Sequence, residues 1–252
     1  MPCLWNNAQS GIRNHLMHLH HGGGVGTLYE MGKLIDNLRL DYQVIAVATR
    51  GHGRSEIGHN PLTYEQKADD IMAVIRKEDC ASVSIIGFSD GAYTAYKVAS
   101  MYPQVIERVV ATGAGTLNQG YFKAGTLNVA DIEKIDTAFV EQQRQIMPEP
   151  ERLQEFWTDY MDFWSKISVD KNLFTTIKCP VLLIAGDEDD HAPIVTMKDY
   201  ERFSLAVYFI VNLGIICLRI MPCRWIVTVW RFATLYIFSL HKIANGSCIS
   251  FF

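Results

Sequence analysis

The sequence predicts an α/β protein: a three-layer α/β/α sandwich around a mostly parallel sheet, with a helical insertion between two of its strands. Three observations carry that expectation. β-Branched runs alternate with amphipathic helical stretches over the first 201 residues, the pattern of strands joined by crossover helices. Glycine-rich turns follow several of those runs. Residues 117–178 carry helical patterning and no strand-like run. A length of 252 residues, 49% hydrophobic and 20% charged, suits one large domain with an insertion and excludes a disordered chain.

The elements follow in order. Residues 16–19 are a short apolar run ahead of a glycine cluster. Residues 29–38 read as a helix, with Met31, Leu34, Ile35 and Leu38 at helical spacing. The β-branched content of 42–49 (YQVIAVAT) makes a buried strand. Residues 63–77 form an amphipathic helix, 82–88 a strand, 91–101 a helix and 106–112 the next strand. PVLLIA at 180–185 resumes the sheet after the insertion. Within the insertion, helical stretches at about 129–146 and 150–167 are split by Met147-Pro148-Glu149-Pro150.

Charge and cysteine usage exclude several functions. A net charge of −4 leaves no electrostatic footprint for nucleic acid. The six cysteines form no CxxC pair, which argues against a zinc ribbon and a disulfide framework. The opening MPCLWNNAQS lacks an apolar core of the secretory type, so a cytoplasmic protein is expected.

Chemistry concentrates at Gly87-Phe88-Ser89-Asp90-Gly91, a G-x-S-x-G run directly after a β-branched strand and before a helix. A serine presented at a tight strand-to-helix turn needs small neighbours, and the helix N-terminus behind it offers free N–H groups to developing negative charge. The bland alternative is a glycine-rich turn with an incidental serine. His21-Gly22-Gly23-Gly24 follows the first apolar run. Its backbone N–H groups, notably those of Gly22 and Gly23, together with that of Asp90 would form an oxyanion hole; a merely flexible loop is the alternative. Arg50-Gly51-His52-Gly53-Arg54-Ser55 reads as a supporting structural turn. Trp157, Tyr160 and Trp164 share one helical face in the insertion, either packing the insertion on the core or walling an apolar substrate.

HHGGGVG, TRGHGRS, GFSDGA and GDEDDHAP, in this order over about residues 16–202, resemble the α/β-hydrolase superfamily, in wording close to its capped esterase, lactonase and haloperoxidase-like members. The resemblance implies a helical cap at about 117–178. It also implies hydrolysis of a small-molecule carboxylic ester or lactone through an acyl-serine intermediate on Ser89, with no metal or organic cofactor. A triad acid is implied in the loop after PVLLIA, where Asp189 is the match and Asp187 the alternative. The Ser-Asp-Gly form also resembles hydrolases of amino-acid esters, in which Asp90 would recognise a substrate ammonium; a solvated acid at a helix N-terminus is the plainer reading.

The base is the departure. The family places a Gly-His turn after one more strand, and residues 205–211 (LAVYFIV) supply a candidate strand. Yet Asn212-Leu213-Gly214-Ile215 follows it, and no histidine occurs between Ala192 and Leu240. His191 stands two residues from the acid, and His241 is the weak candidate for the base.

The same region changes composition. Residues 1–201 carry all 27 acids and a charge of −9, whereas residues 202–252 carry five basic groups and no acid. Between Phe203 and Leu240, 28 of 38 residues are apolar, too many for an ordinary surface-forming segment. The chain is thus divided into a hydrolase-like domain at 1–202 and an apolar tail at 203–252. Three origins fit the tail: a membrane anchor, a divergent final strand and helix, or a segment out of the family's reading frame, which the loss of every acid and of the Gly-His turn favours and which would leave the hydrolase impaired or inactive. Membrane association is disfavoured because its uncharged run spans only 16 residues, against about 20 for a spanning helix.

Overall fold

The computed structural model describes residues 3–5, 15–19, 22, 28–122, 125–186, 189, 191–193, 195–196 and 206–211. Among the described residues seven strands make one sheet: β1 (Cys3–Trp5), β2 (His15–Leu19), β3 (Gln43–Val47), β4 (Val83–Phe88), β5 (Ile106–Thr112), β6 (Val181–Gly186) and β7 (Ala206–Val211). Their order is β1-β3-β2-β4-β5-β6-β7. Every pairing is parallel except the antiparallel edge pair of β1 with β3. β4 therefore occupies the centre, with Ile85 level with Met17 of β2 and Val109 of β5.

The period-2 alternation of side chains sorts these runs onto two faces. Leu16, Val44, Ile86, Val110 and Leu182 join Leu34, Ile35 and Leu38 of α1 (Gly32–Leu38) in one apolar cluster. Met17, Ile45, Ile85, Val109 and Leu183 join the helices of the opposite face. Those are α2 (Tyr64–Lys77) and α3 (Asp90–Met101). A sheet covered on both faces explains why its strands read as nearly continuous apolar runs.

Between β5 and β6 stand α4 (Val129–Ile135), α5 (Thr137–Ile146), α6 (Leu153–Lys166) and α7 (Lys171–Thr176). The stretch read as one helix over 129–146 is broken at Asp136, whose carboxylate accepts a hydrogen bond from the Phe139 N–H at 2.9 Å and caps α5. The short α7, capped by Asp170, was not expected, nor was β1. At the other end, β7 lies within the apolar run anticipated at 205–211. No helix among the described residues is long and apolar enough to cross a membrane.

Candidate active site

The turn after β4 is built by sterics. A methyl group on Gly87 would stand 2.5 Å from the Gly91 carbonyl oxygen and 2.7 Å from the Ala92 Cα. Only a residue without Cβ lets the strand end and the helix start approach this closely. Ser89, between them, takes φ 51° and ψ −117°, a conformation that costs an L-residue energy and survives only where its surroundings over-determine it. Its N–H donates to the Thr112 carbonyl at 2.8 Å, and its carbonyl accepts from Ala92 and Tyr93 at 2.9 and 3.1 Å. The serine is half-buried at the head of the 12-residue α3, above the central strand.

Asp90, the next residue, is fully buried. Both its carboxylate oxygens accept from Lys67 Nζ of α2, at 2.9 and 2.7 Å, and one also accepts from the Tyr64 hydroxyl at 3.1 Å. Burial pushes the Tyr64 phenol well above its ordinary range, so it stays a neutral donor. A carboxylate engaged in this way has neither the exposure of a solvated helix-terminal acid nor an open face for a substrate ammonium. Both sequence readings of the Asp90 side chain are therefore corrected.

The glycine loop meets the elbow at Gly22. A methyl group there would overlap the Tyr160 hydroxyl and stand 2.6 Å from Asp90 Cβ. Gly22, Asp90 and Tyr160 are thus brought together; Gly23 lies outside the described residues. Tyr160 and Trp157 have no exposed surface, and Trp164 has very little. Trp157 stacks on Phe139 of α5, with ring centroids 6.5 Å apart, which places it in the packing of the inserted helices. Trp164 stands edge-on to Phe122 at 4.5 Å and to Tyr93 of α3 at 6.4 Å.

Asp189 lies beyond β6 and is buried. Its Oδ1 accepts from the backbone N–H groups of His191 and Ala192 at 2.9 and 3.0 Å. A methyl group on Gly113, at the end of β5, would meet Asp189 Oδ2 at 3.4 Å and the Phe88 ring at 3.3 Å. Asp189 and the Ser89 turn thus lie at the same edge of the sheet, where the Phe88 ring and Asp189 Oδ2 both approach Gly113. The loop that carries Asp189 is strapped back by the Thr116 N–H and hydroxyl, both donating to the Thr196 carbonyl at 2.8 and 3.0 Å. Asp187 and His241 lie outside the described residues, while the His191 side chain is exposed.

Other candidate groups have structural duties. His52 is buried edge-on to Phe156 and Tyr160, at 5.2 and 5.4 Å between centroids. Arg50 makes two hydrogen bonds to Asp70, at 3.0 and 2.7 Å, and reaches the Ile57 carbonyl. The 50–55 stretch is therefore a packed turn, as its sequence suggested. Cys80 and Cys179 are free and buried. Burial pushes the Cys179 thiol up to about 11, away from nucleophilic thiolate chemistry. Among the described residues no three His, Cys, Asp or Glu side chains cluster as a metal site would require.

Lys67 and Tyr64 were missed in the sequence. The available signal was positional: Lys67 falls on the stripe of α2 made by Tyr64, Ala68, Ile71, Met72 and Ile75, all of them buried. A lysine on the apolar face of an amphipathic helix calls for a partner.

Known proteins resemble the chain. It is 24% identical to the human serine hydrolase BPHL over 198 residues, which is 73% of this chain and 67% of that protein. Among the first curated relatives, the chain spans from 32% to 67% of their length. Solved structures share the fold. The enol-lactonase from Burkholderia xenovorans LB400 superposes with a TM-score of 0.68 at 17% identity, over 94% of each chain. The serine hydrolase CarC, involved in carbazole degradation, gives 0.70 at 20% identity, over 90% of this chain and 91% of that one. The model of the alpha/beta hydrolase family matches residues 19–211, from the end of β2 through β7, and the chain belongs to that family.

Proposed function

We propose that the chain is a serine hydrolase of small carboxylic esters or lactones, working through an acyl-serine intermediate. The observation that carries this reading is Ser89, a non-glycine residue held at φ 51° directly after the central strand. In the proposed route Ser89 Oγ attacks the substrate carbonyl carbon while a base takes its proton. The N–H groups of Gly22, Gly23 and Asp90 receive the oxyanion, each donor being worth roughly 3–4 kcal/mol of transition-state stabilisation. The carbon–oxygen bond to the alcohol, or within the lactone ring, then breaks, and the base returns its proton to the departing oxygen. Water, activated by the same base, releases the acid. Asp189 orients the base and stabilises its cation. Two amides already occupy one of its oxygens, leaving Oδ2 for an imidazole. His241 is the weak candidate for that imidazole, since the family's Gly-His position holds Ile215 here.

One observation favours a second reading, a non-hydrolytic member that acts by binding: the absence of any histidine between Ala192 and Leu240. Hydrolysis of p-nitrophenyl acetate and butyrate separates the two. The hydrolase reading expects turnover lost in both Ser89→Ala and His241→Ala. No turnover by the wild type, together with turnover appearing in Ile215→His, would establish the second.

A further inference from the structure

We propose that Lys67 is a positioning residue that sets the oxyanion donors: from α2 it holds Asp90 at the head of α3 and Tyr160 of α6 jointly against Gly22. This inference rests on the serine hydrolase reading and adds to it a part of the machinery outside the sequence motifs.

Lys67 is 1% exposed and its partner Asp90 has no exposed surface. Taking two charges out of water costs several kcal/mol per ion, and an apolar pair of similar volume is often equally stable. Stability alone is therefore a poor account of the pair. Its geometry gives a better one. Two hydrogen bonds from Nζ go to the two Asp90 oxygens, and a third goes to the Tyr160 hydroxyl at 3.2 Å. The rings of Tyr160 and Phe163, both on α6, stand 4.8 Å from the ammonium, and the Tyr64 ring stands 5.5 Å away. With all three ammonium donors used, the side chain has one arrangement.

That arrangement abuts the donors. The Tyr160 hydroxyl and the Asp90 side chain, at its Cβ and Cγ, are what a Cβ on Gly22 would strike. The lysine thereby fixes both surfaces against which the Gly22 backbone rests. Asp90 also contributes its own amide at the first position of α3, so one ammonium governs the spacing of two donors carried by separate segments. Tyr160 extends the control to the inserted helices: a displacement of α6 is felt at Gly22. Oxyanion donors act only when held near hydrogen-bond distance of the developing charge, and this cluster supplies that restraint.

Two variants and two readouts test the proposal on the full chain. Lys67→Met removes the ammonium but strands a buried carboxylate. Lys67→Met/Asp90→Asn removes both charges and keeps the fold testable. The first readout is the phosphonylation of Ser89 by an ethyl fluorophosphonate. In the double variant the maximal rate should fall about tenfold or more, while the probe's half-saturating concentration changes less than about twofold. The second readout, amide hydrogen exchange, is independent of reactivity. Exchange should quicken about tenfold in the peptides containing Gly22, Ser89–Tyr93 and Tyr160, with β5 and β6 unaffected. Wild-type exchange at Gly22 and Asp90 in the double variant, or a uniform loosening of the whole sheet, overturns the proposal. A wild type that does not label counts against the hydrolase reading, and hydrogen exchange alone then decides the role of Lys67.

Discussion

The turn after β4 and the turn after β6 open on the same edge of the sheet but are held by different forces. The first is a steric construction: Gly87 lets backbone meet backbone, Ser89 is forced to positive φ, and a buried charge pair braces the helix behind it. The second is a hydrogen-bonding construction, in which a carboxylate folds its own loop by accepting from His191 and Ala192 and a strap to Thr116 holds the far end. On the proposed reading the steric turn aims a nucleophile, and the polar turn orients an acid. The two should consequently fail in different ways when altered.

The largest effect is expected at the acid, where charge matters more than shape. Asn in place of Asp189 keeps an oxygen for the two loop amides but loses the charge that stabilises an imidazolium. Ester hydrolysis should fall by about 10³-fold or more, with the urea midpoint nearly unchanged. A large stability loss would show that the carboxylate serves the loop instead. At the elbow the balance reverses. Gly87→Ala drives a methyl group into backbone and should cost about 3 kcal/mol in urea unfolding, with loss of Ser89 labelling. Wild-type stability there would break the steric half of the contrast.

Gly115→Ala probes the strap, because a methyl group there overlaps the Thr196 carbonyl and hydroxyl. About 1–2 kcal/mol of destabilisation is expected, with hydrolysis falling further than stability accounts for. Both measurements left unchanged would show that the acid loop is positioned without the strap.

The smallest effect concerns pH. The Ile57 N–H donates to Glu149 Oε2 at 2.6 Å, joining the α5–α6 connection to the 57–58 loop. That bond comes first, with the Arg152 guanidinium also contributing, in holding the Glu149 carboxyl below the ordinary carboxylate range. A carboxyl lowered in the folded state stabilises the fold above its unfolded value, and the contribution is lost as pH falls through the folded value. Thermal unfolding followed from pH 6 to pH 3 should therefore decline less steeply for Glu149→Gln than for the wild type. Parallel curves would show that the Glu149 carboxylate does not stabilise the fold.

The contrast also explains what the sequence could reveal. The elbow was legible because its constraint is local: a β-branched run, two glycines and a serine sit within nine residues. The strands were legible because burial on both faces leaves long apolar runs. The Lys67–Asp90 pair was not, since the partners are 23 residues apart and only the folded sheet aligns α2 with α3. Nor was the contact between Gly22 and Tyr160, which joins segments more than a hundred residues apart. The break at Asp136 was missed for another reason: Ile135 and Phe139 continue a plausible helical period, so the aspartate's capping role is hidden until its side chain is seen turning back to the Phe139 amide. For the catalytic base, the family pattern gave a position and this sequence offers isoleucine there.

On the proposed function, Ser89 is a nucleophile facing donors from Gly22 and Asp90. The most direct test of that role is a crystal structure of the chain after reaction with an ethyl fluorophosphonate. One adduct is expected, on Ser89 Oγ, with the phosphoryl oxygen within hydrogen-bond distance of the Gly22 or Asp90 N–H. An adduct on another residue, or one on Ser89 whose oxygen points away from both amides, would contradict it.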